Sequence, residues 1–311
     1  MINITELSQY YFNEHKDKIF HTRLCVEGKC FDVLYNYDKL DEIDKFLSNF
    51  TEYFPYYVSN ADLLECADFK VGMKNKLLEL SKKCWINPNV PKREYKKNGI
   101  FGELFLDFYE RIVKGSKLIS TYASRRDFNS KGESKGFDNV FFRISGDNIE
   151  PIFAEAKFVE NRSSAKKALL EDIKGVDSPD PKKRRIGHLT FNFLNDYIAF
   201  VIGKQSFFSE EDKTQLKPLF SKLNNVLMNG DGDFISFLIE NDICVNCVFF
   251  AIFTDAHTSP KDYVEVYDAI ENEAKQHLEK MGIHNYNIEI VFIPTLSKSV
   301  EIKRIIDEFY K

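Results

Sequence analysis

The triplet Glu155-Ala-Lys157 sets an acid and a base two residues apart in an otherwise apolar run, Ile152-Phe-Ala-Glu-Ala-Lys-Phe158. In a strand, residues i and i+2 share a face about 7 Å apart along the backbone. Glu155 and Lys157 therefore point one way, while Ile152, Ala154, Ala156 and Phe158 point the other. Charged groups on an apolar strand are costly to bury without partners. Asp138 lies near the start of the preceding run, Phe137–Ile144, on the face of Val140, Phe142 and Ile144. The intervening Ser145-Gly-Asp-Asn148 is a turn sequence, so a short hairpin brings Asp138 alongside Glu155. Two carboxylates held together repel, and a divalent cation between them removes the repulsion. Mg²⁺ (or Mn²⁺) suits such an oxygen-only site, keeping several waters of its own. Lys157 beside it could orient a water, help to deprotonate it and offset charge on a phosphorane-like transition state.

These residues need elements to position them. Ile100, Phe101, Leu104, Phe105, Phe108, Tyr109 and Ile112 recur with helical spacing, which predicts an amphipathic helix over Gly99–Val113. Glu103 sits early in it, just outside the apolar stripe. Asp107, one turn later, reads as an exposed helix residue. Strands are expected at Lys117–Ala123, Phe137–Ile144, Ile152–Phe158, Ile243–Thr254 and Tyr286–Pro294. Helices are expected from a Ser163 cap through Ile173, over His188–Ile202 and over Ser299–Tyr310. Strands alternating with helices indicate a layered α/β (α+β) fold with a mixed sheet flanked by helices. Residues 1–95 read as a small α+β region, with a hairpin about Glu27-Gly-Lys29 and helices near Lys39–Phe50 and Lys74–Cys84. The stretch Trp85-Ile-Asn-Pro-Asn-Val-Pro91 marks a break, after which 96–311 forms the larger domain.

Bulk properties exclude several classes. With 311 residues, 43% hydrophobic and 14% aromatic, the chain can bury a sizeable core and is not a disordered protein. A net charge of −5 argues against coating nucleic acid through bulk charge. The positive charge is local instead. Residues 114–135 carry net +4, residues 162–185 net +4, and residues 136–161 between them net −3. A basic frame about an acidic pocket suits the gripping of phosphates beside a metal. Lys166, Lys167, Lys182, Lys183, Arg184, Arg185, Arg125 and Arg126 are the candidate DNA contacts. No signal peptide or membrane span is visible, and a cytoplasmic location is expected. The six cysteines, at 25, 30, 66, 84, 244 and 247, are read as thiols, with Cys244-Val-Asn-Cys247 buried in its strand. Asp255 and His257, just past that strand, are given a capping or loop role over a second acid/base site.

Taken together, Glu103 on a helix, Asp138 on a second strand and Glu155-x-Lys157 on a third resemble the PD-(D/E)xK nuclease superfamily. That likeness implies a restriction-endonuclease-like αβββαβ core, with Gly136-Phe-Asp138 in place of the usual Pro-Asp. Phe101-Gly-Glu-Leu-Phe-Leu106, Gly136-Phe-Asp-Asn-Val140, Ala154-Glu-Ala-Lys-Phe158 and the Phe249–Ile293 region with Thr254-Asp-Ala-His257 are similar to the HamA family. Its members are the nuclease subunits of the Hachiman anti-phage system. The resemblance implies a DNase effector held by a superfamily-2 helicase, HamB, and released on infection. It carries over Glu103, Asp138, Glu155 and Lys157 as the catalytic set, with Glu103 assisting Asp138 and Glu155 at the metal. Residues 1–95 would then include partner-binding surface. The expectation is a metal-dependent DNA endonuclease with little sequence readout. The competing expectation is a catalytically silent subunit that binds a partner or DNA.

Overall fold

Period-two alternation, helical stripes and one continuous apolar run each produce the element they imply. The computed structural model describes residues 22–26, 28–33, 100–118, 138–145, 148–180, 185–186, 234–254 and 260–295, with the isolated helical positions Thr214, Lys217, Ser221 and Lys303. The helices expected at 39–50, 74–84 and 188–202, the bulk of 299–310, and Asp255 and His257 lie outside the described residues.

In chain order the elements are β1 (Thr22–Val26), β2 (Lys29–Val33), α1 (Ile100–Phe108), β3 (Lys117–Leu118), β4 (Asn139–Ser145) and β5 (Asn148–Val159). There follow α2 (Arg162–Lys174), β6 (Gly175–Val176), β7 (Arg185–Ile186), α3 (Phe234–Glu240), β8 (Val245–Thr254), α4 (Pro260–Lys280) and β9 (Tyr286–Thr295). One sheet runs β1-β2-β9-β8-β5-β4-β3, and β6 pairs separately with β7. The ladders β3/β4 and β4/β5 are antiparallel, whereas β5/β8 and β8/β9 are parallel. The sheet is therefore mixed, as expected. The N-terminal hairpin β1/β2 extends it, β2 running parallel to β9 through Asp32↔Val291 and Val33↔Phe292.

Strand β8 lies near the centre and is buried from Val245 to Phe253, which accounts for its unbroken apolar sequence. Both of its faces are covered. On one, Phe105 of α1 and Tyr109 just after it meet Phe250, with ring centroids 6.3 and 5.5 Å apart. On the other, Tyr263 of α4 stacks near Phe253 and Phe292, at 6.1 and 5.1 Å. Helix α2 shares that second face, burying Ala165, Leu169, Asp172 and Ile173. The result is three layers: α1, sheet, then α2 with α4.

Helix α1 reaches the sheet at Gly102, where a Cβ would meet Phe158 Cβ and N at 3.4 Å and Ala156 Cβ at 3.7 Å. The α-helical part ends at Phe108, and the helical run continues in wider turns to the expected Val113. A wider turn follows over Tyr109–Val113, in which Lys114 N–H donates to Tyr109 O at 3.0 Å and Ser116 N–H to Glu110 O at 2.8 Å. Such π-type turns insert a residue into a helix and redirect its side chains.

Three expectations are corrected. Asn161, not Ser163, caps α2: its extended backbone (φ −154°) lets Oδ1 accept from Ser164 N–H at 2.9 Å, while Ser163 lies inside the first turn. Asp107 is fully buried rather than exposed. The cysteines are not all thiols either. Cys25, directly opposite Cys30 in the hairpin register, is disulfide-bonded. Cys244 and Cys247 are free thiols, and burial pushes Cys247 up to about 12.

The close approach at Gly102 has a measurable consequence. Gly102→Val should lower stability by about 2 kcal/mol through overpacking against β5, whereas Gly102→Ala should be near neutral because helix propensity offsets the contact. Thermal melting checks both; equal melting temperatures would show that α1 does not depend on this approach.

Candidate active site

The register of β4 against β5 assembles the site. Asn139 pairs with Ala154 and Val140 with Phe153, so one step further back Asp138 falls opposite Glu155. Strand β4 starts at Asn139, while β5 runs on to Val159. Asp138 thus sits where the ladder begins, and the end of β5 continues beyond its neighbour. Two hydrogen bonds lock the corner: Asp138 N–H donates to Glu155 Oε2 at 3.3 Å, and Ala156 N–H donates to Asp138 Oδ2 at 2.8 Å. Next to them, Asn139 Nδ2 donates to the Glu103 carbonyl at 3.4 Å and ties α1 to the same corner.

Lys157 lies on the Glu155 face, as the spacing requires. Its Nζ donates to Glu155 Oε1 at 2.5 Å and pairs with Asp172 Oδ2 of α2 at 2.6 Å. Glu155 and Asp172 are both buried. Burial pushes the Asp138 carboxyl well above the usual carboxylate range, and the nearby charges of Glu155 and Glu103 add to it, opposed by Lys157. For Lys157, burial disfavours the ammonium. The carboxylates of Glu155, Asp138 and Asp172 outweigh that and hold it charged, well above its ordinary range.

The structure therefore brings together Asp138, Glu155 and Lys157, with the charge of Glu103 near enough to act on Asp138. It adds Asp172, which the sequence reading leaves out although its position was available. Ala165, Leu169, Asp172 and Ile173 recur at i, i+4, i+7 and i+8, so Asp172 falls inside the buried stripe of α2. Of the candidate DNA contacts, Lys166 pairs with Glu265 of α4 at 2.8 Å, and exposed Lys167 lies 3.8 Å from Glu171. Arg125, Arg126, Lys182, Lys183 and Arg184 lie outside the described residues; Arg185 opens β7, and its side chain is not described.

The donor set fits an octahedral cation with an incomplete protein cage. Mg²⁺ is usually held by one or two carboxylates, with water and phosphate completing its shell. Asp138 and Glu155 supply that number, Asp138 Oδ2 is fixed by Ala156, and Oδ1 is its other acceptor. Among the described residues no group of three or more His, Cys, Asp or Glu side chains is placed to hold a metal ion by itself.

A second polar cluster occupies the opposite face, at the wide turn after α1. Ser116 Oγ donates to Glu110 Oε2 at 2.6 Å, and Arg143 Nη2 of β4 lies 3.5 Å from the same oxygen. Glu110 Oε1 has no hydrogen-bond partner among the described residues. Burial pushes this carboxyl up to about 7; Glu289 adds to the shift, while Ser116, Arg143 and Lys114 oppose it.

A mixed sheet between helix layers, carrying an interlocked Asp/Glu/Lys corner at a strand end, defines a layered α/β protein with an acidic, lysine-bearing site. The family model for HamA matches residues 10–309, and the chain belongs to the HamA family. Membership of that family suggests a component of Hachiman-type defence. Comparisons with curated proteins and with solved structures give no match. Among the described residues no helix is long and apolar enough to cross a membrane.

The Glu110 site sets a pH dependence. Its folded value of about 7 exceeds the ordinary 4.5, so between those limits the folded state binds more protons than the unfolded one. Stability should be greatest below about 4.5 and fall as pH rises to about 7, by about 3 kcal/mol in all for this group. Denaturant unfolding of the protein and of Glu110→Gln, from pH 5 to 8, checks it. The difference between them should change over that window and be flat above it.

Proposed function

We propose that this chain is a metal-dependent deoxyribonuclease, the effector subunit of a defence complex, cutting phosphodiester bonds with little sequence specificity. The observation that carries the reading is the corner itself: Asp138 and Glu155 interlocked at the start of β4, with Lys157 on the same face. Family membership supports the defence role. The order α1, the β3–β4–β5 meander, α2, then β8 parallel to β5, agrees with the αβββαβ core expected of PD-(D/E)xK nucleases.

Asp138 and Glu155, with Glu103 beside them, would hold Mg²⁺ or Mn²⁺. When bound, that ion supplies Lewis acidity at the phosphate and lowers the pKa of a coordinated water. The chain's own residues do the rest. Ala156 N–H and Asp138 N–H fix the two carboxylates before substrate arrives, so little reorganisation is needed. Lys157 orients the attacking water and offers its charge to the oxygens that gain negative charge in the transition state. Lys166 and Lys167 on α2, with the basic residues of 114–135 and 182–185, grip the backbone phosphates, which position DNA without reading bases. A helicase of superfamily 2, HamB-like, would restrain the subunit and release it on infection.

The test is plasmid incubated with the protein and Mg²⁺, with and without the helicase partner. Cleavage should disappear with EDTA, and Glu155→Ala and Lys157→Ala should each lower the rate at least about a hundredfold. Plasmid left intact under every condition, by protein that still assembles with its partner, would leave a catalytically silent binding subunit.

A further inference from the structure

We infer that Asp172 is a positioning residue for Lys157: it holds the ammonium when a cation claims Glu155. The inference deepens the proposed reaction by identifying what keeps its lysine in place. Lys157 Nζ is shared between Glu155 Oε1 at 2.5 Å and Asp172 Oδ2 at 2.6 Å. These partners come from different layers, Glu155 from the sheet and Asp172 from helix α2. Asp172 occupies a stripe otherwise filled by Ala165, Leu169 and Ile173, where an apolar residue would pack at no electrostatic cost. An acid placed there serves its contact with Lys157, which packing alone does not require.

The role of that contact follows from the geometry of Glu155. Both of its oxygens are engaged, Oε2 by Asp138 N–H and Oε1 by Lys157. A divalent cation drawn to Asp138 and Glu155 must compete with the ammonium for Oε1. Without a second acceptor, the half-buried Lys157 would be left unpaired, so it would stay on Glu155 and oppose the ion. Asp172 provides the second acceptor from the helix side. The lysine can pivot toward α2, release Oε1 and remain beside the reacting phosphate. Asp172 touches neither ion nor substrate in this scheme and works only through Lys157.

The test is a double-mutant cycle on Mn²⁺ affinity, measured by calorimetry on the full chain without DNA. Asp172→Asn should weaken Mn²⁺ binding about tenfold in the wild-type background and less than about twofold in Lys157→Ala, since the competing ammonium is then gone. Asp172→Glu should restore most of the affinity, and thermal melting shows that each variant folds. On plasmid, Asp172→Asn should lower kcat about tenfold with KM for DNA unchanged. Equal effects of Asp172→Asn in both backgrounds, or no Mn²⁺ binding by the wild type, would overturn the inference. Plasmid left uncut while the Mn²⁺ cycle holds would sink the nuclease reading and leave the role of Asp172 standing.

Discussion

Three buried or half-buried carboxylates, Asp138, Glu155 and Asp172, surround one ammonium inside an apolar layered sheet, and the surrounding structure answers to that imbalance. Isolated charges in such a layer cost several kcal/mol each. The fold limits the cost by engaging them with one another and with the backbone. Glu155 accepts from Asp138 N–H, Asp138 accepts from Ala156 N–H, and Lys157 joins the sheet to α2. Burial first, and then the neighbouring Glu155 charge, raises the Asp138 carboxyl, with Lys157 opposing. The corner is thus acidic and held in place by its own hydrogen bonds.

The two faces of the sheet divide the work. The α2 and α4 face carries the lysine and its acids. The α1 face closes over Gly102 and then breaks into the wide turn, where Glu110, Ser116 and Arg143 form a network of their own. That turn also brings Tyr109 and Lys114 onto Glu289 of β9, at 2.8 and 2.7 Å. Beyond β9, the N-terminal hairpin continues the sheet, and Lys29 binds Asp268 and Glu271 of α4 at 3.2 and 2.8 Å. The hairpin is thereby tied to two elements of the larger region at once.

Most of the site was legible because it rests on periodicity. An i, i+2 pair on a strand must share a face, and a short turn must return Asp138 to Glu155. What escaped has physical reasons. Asp172 comes from another layer, and no local spacing links it to Lys157. Asp107 reads as exposed because it is charged, yet it is buried with Arg111 at 3.4 Å. The widening of the helix after Phe108 depends on hydrogen bonds five and six residues back, which an apolar stripe continuing through Tyr109 and Ile112 does not reveal. Helix α4 is a different lapse: Tyr263, Val266, Tyr267, Ile270, Ala274 and Leu278 are buried at plain helical spacing, behind a Pro260 start. Its absence from the expectations left the second layer without the partner on which α2 packs.

That omission matters for the charge argument. Counting residues gives 162–185 a net +4, which suggests an open basic face. In the fold, Arg162 meets Asp262 at 3.0 Å, Lys166 meets Glu265 at 2.8 Å and Lys174 approaches Glu273 at 3.8 Å. Helix α4 therefore lines the basic helix with acids, and local net charge overstates what a phosphate would meet. Such pairs are still weak where water reaches them, and Glu265 is 67% exposed. A polyanion offering many phosphates along one path can exchange with them one by one, at a cost small beside the gain from released counterions. The basic helix would thus be masked against single anions far better than against the nucleic-acid substrate proposed for it.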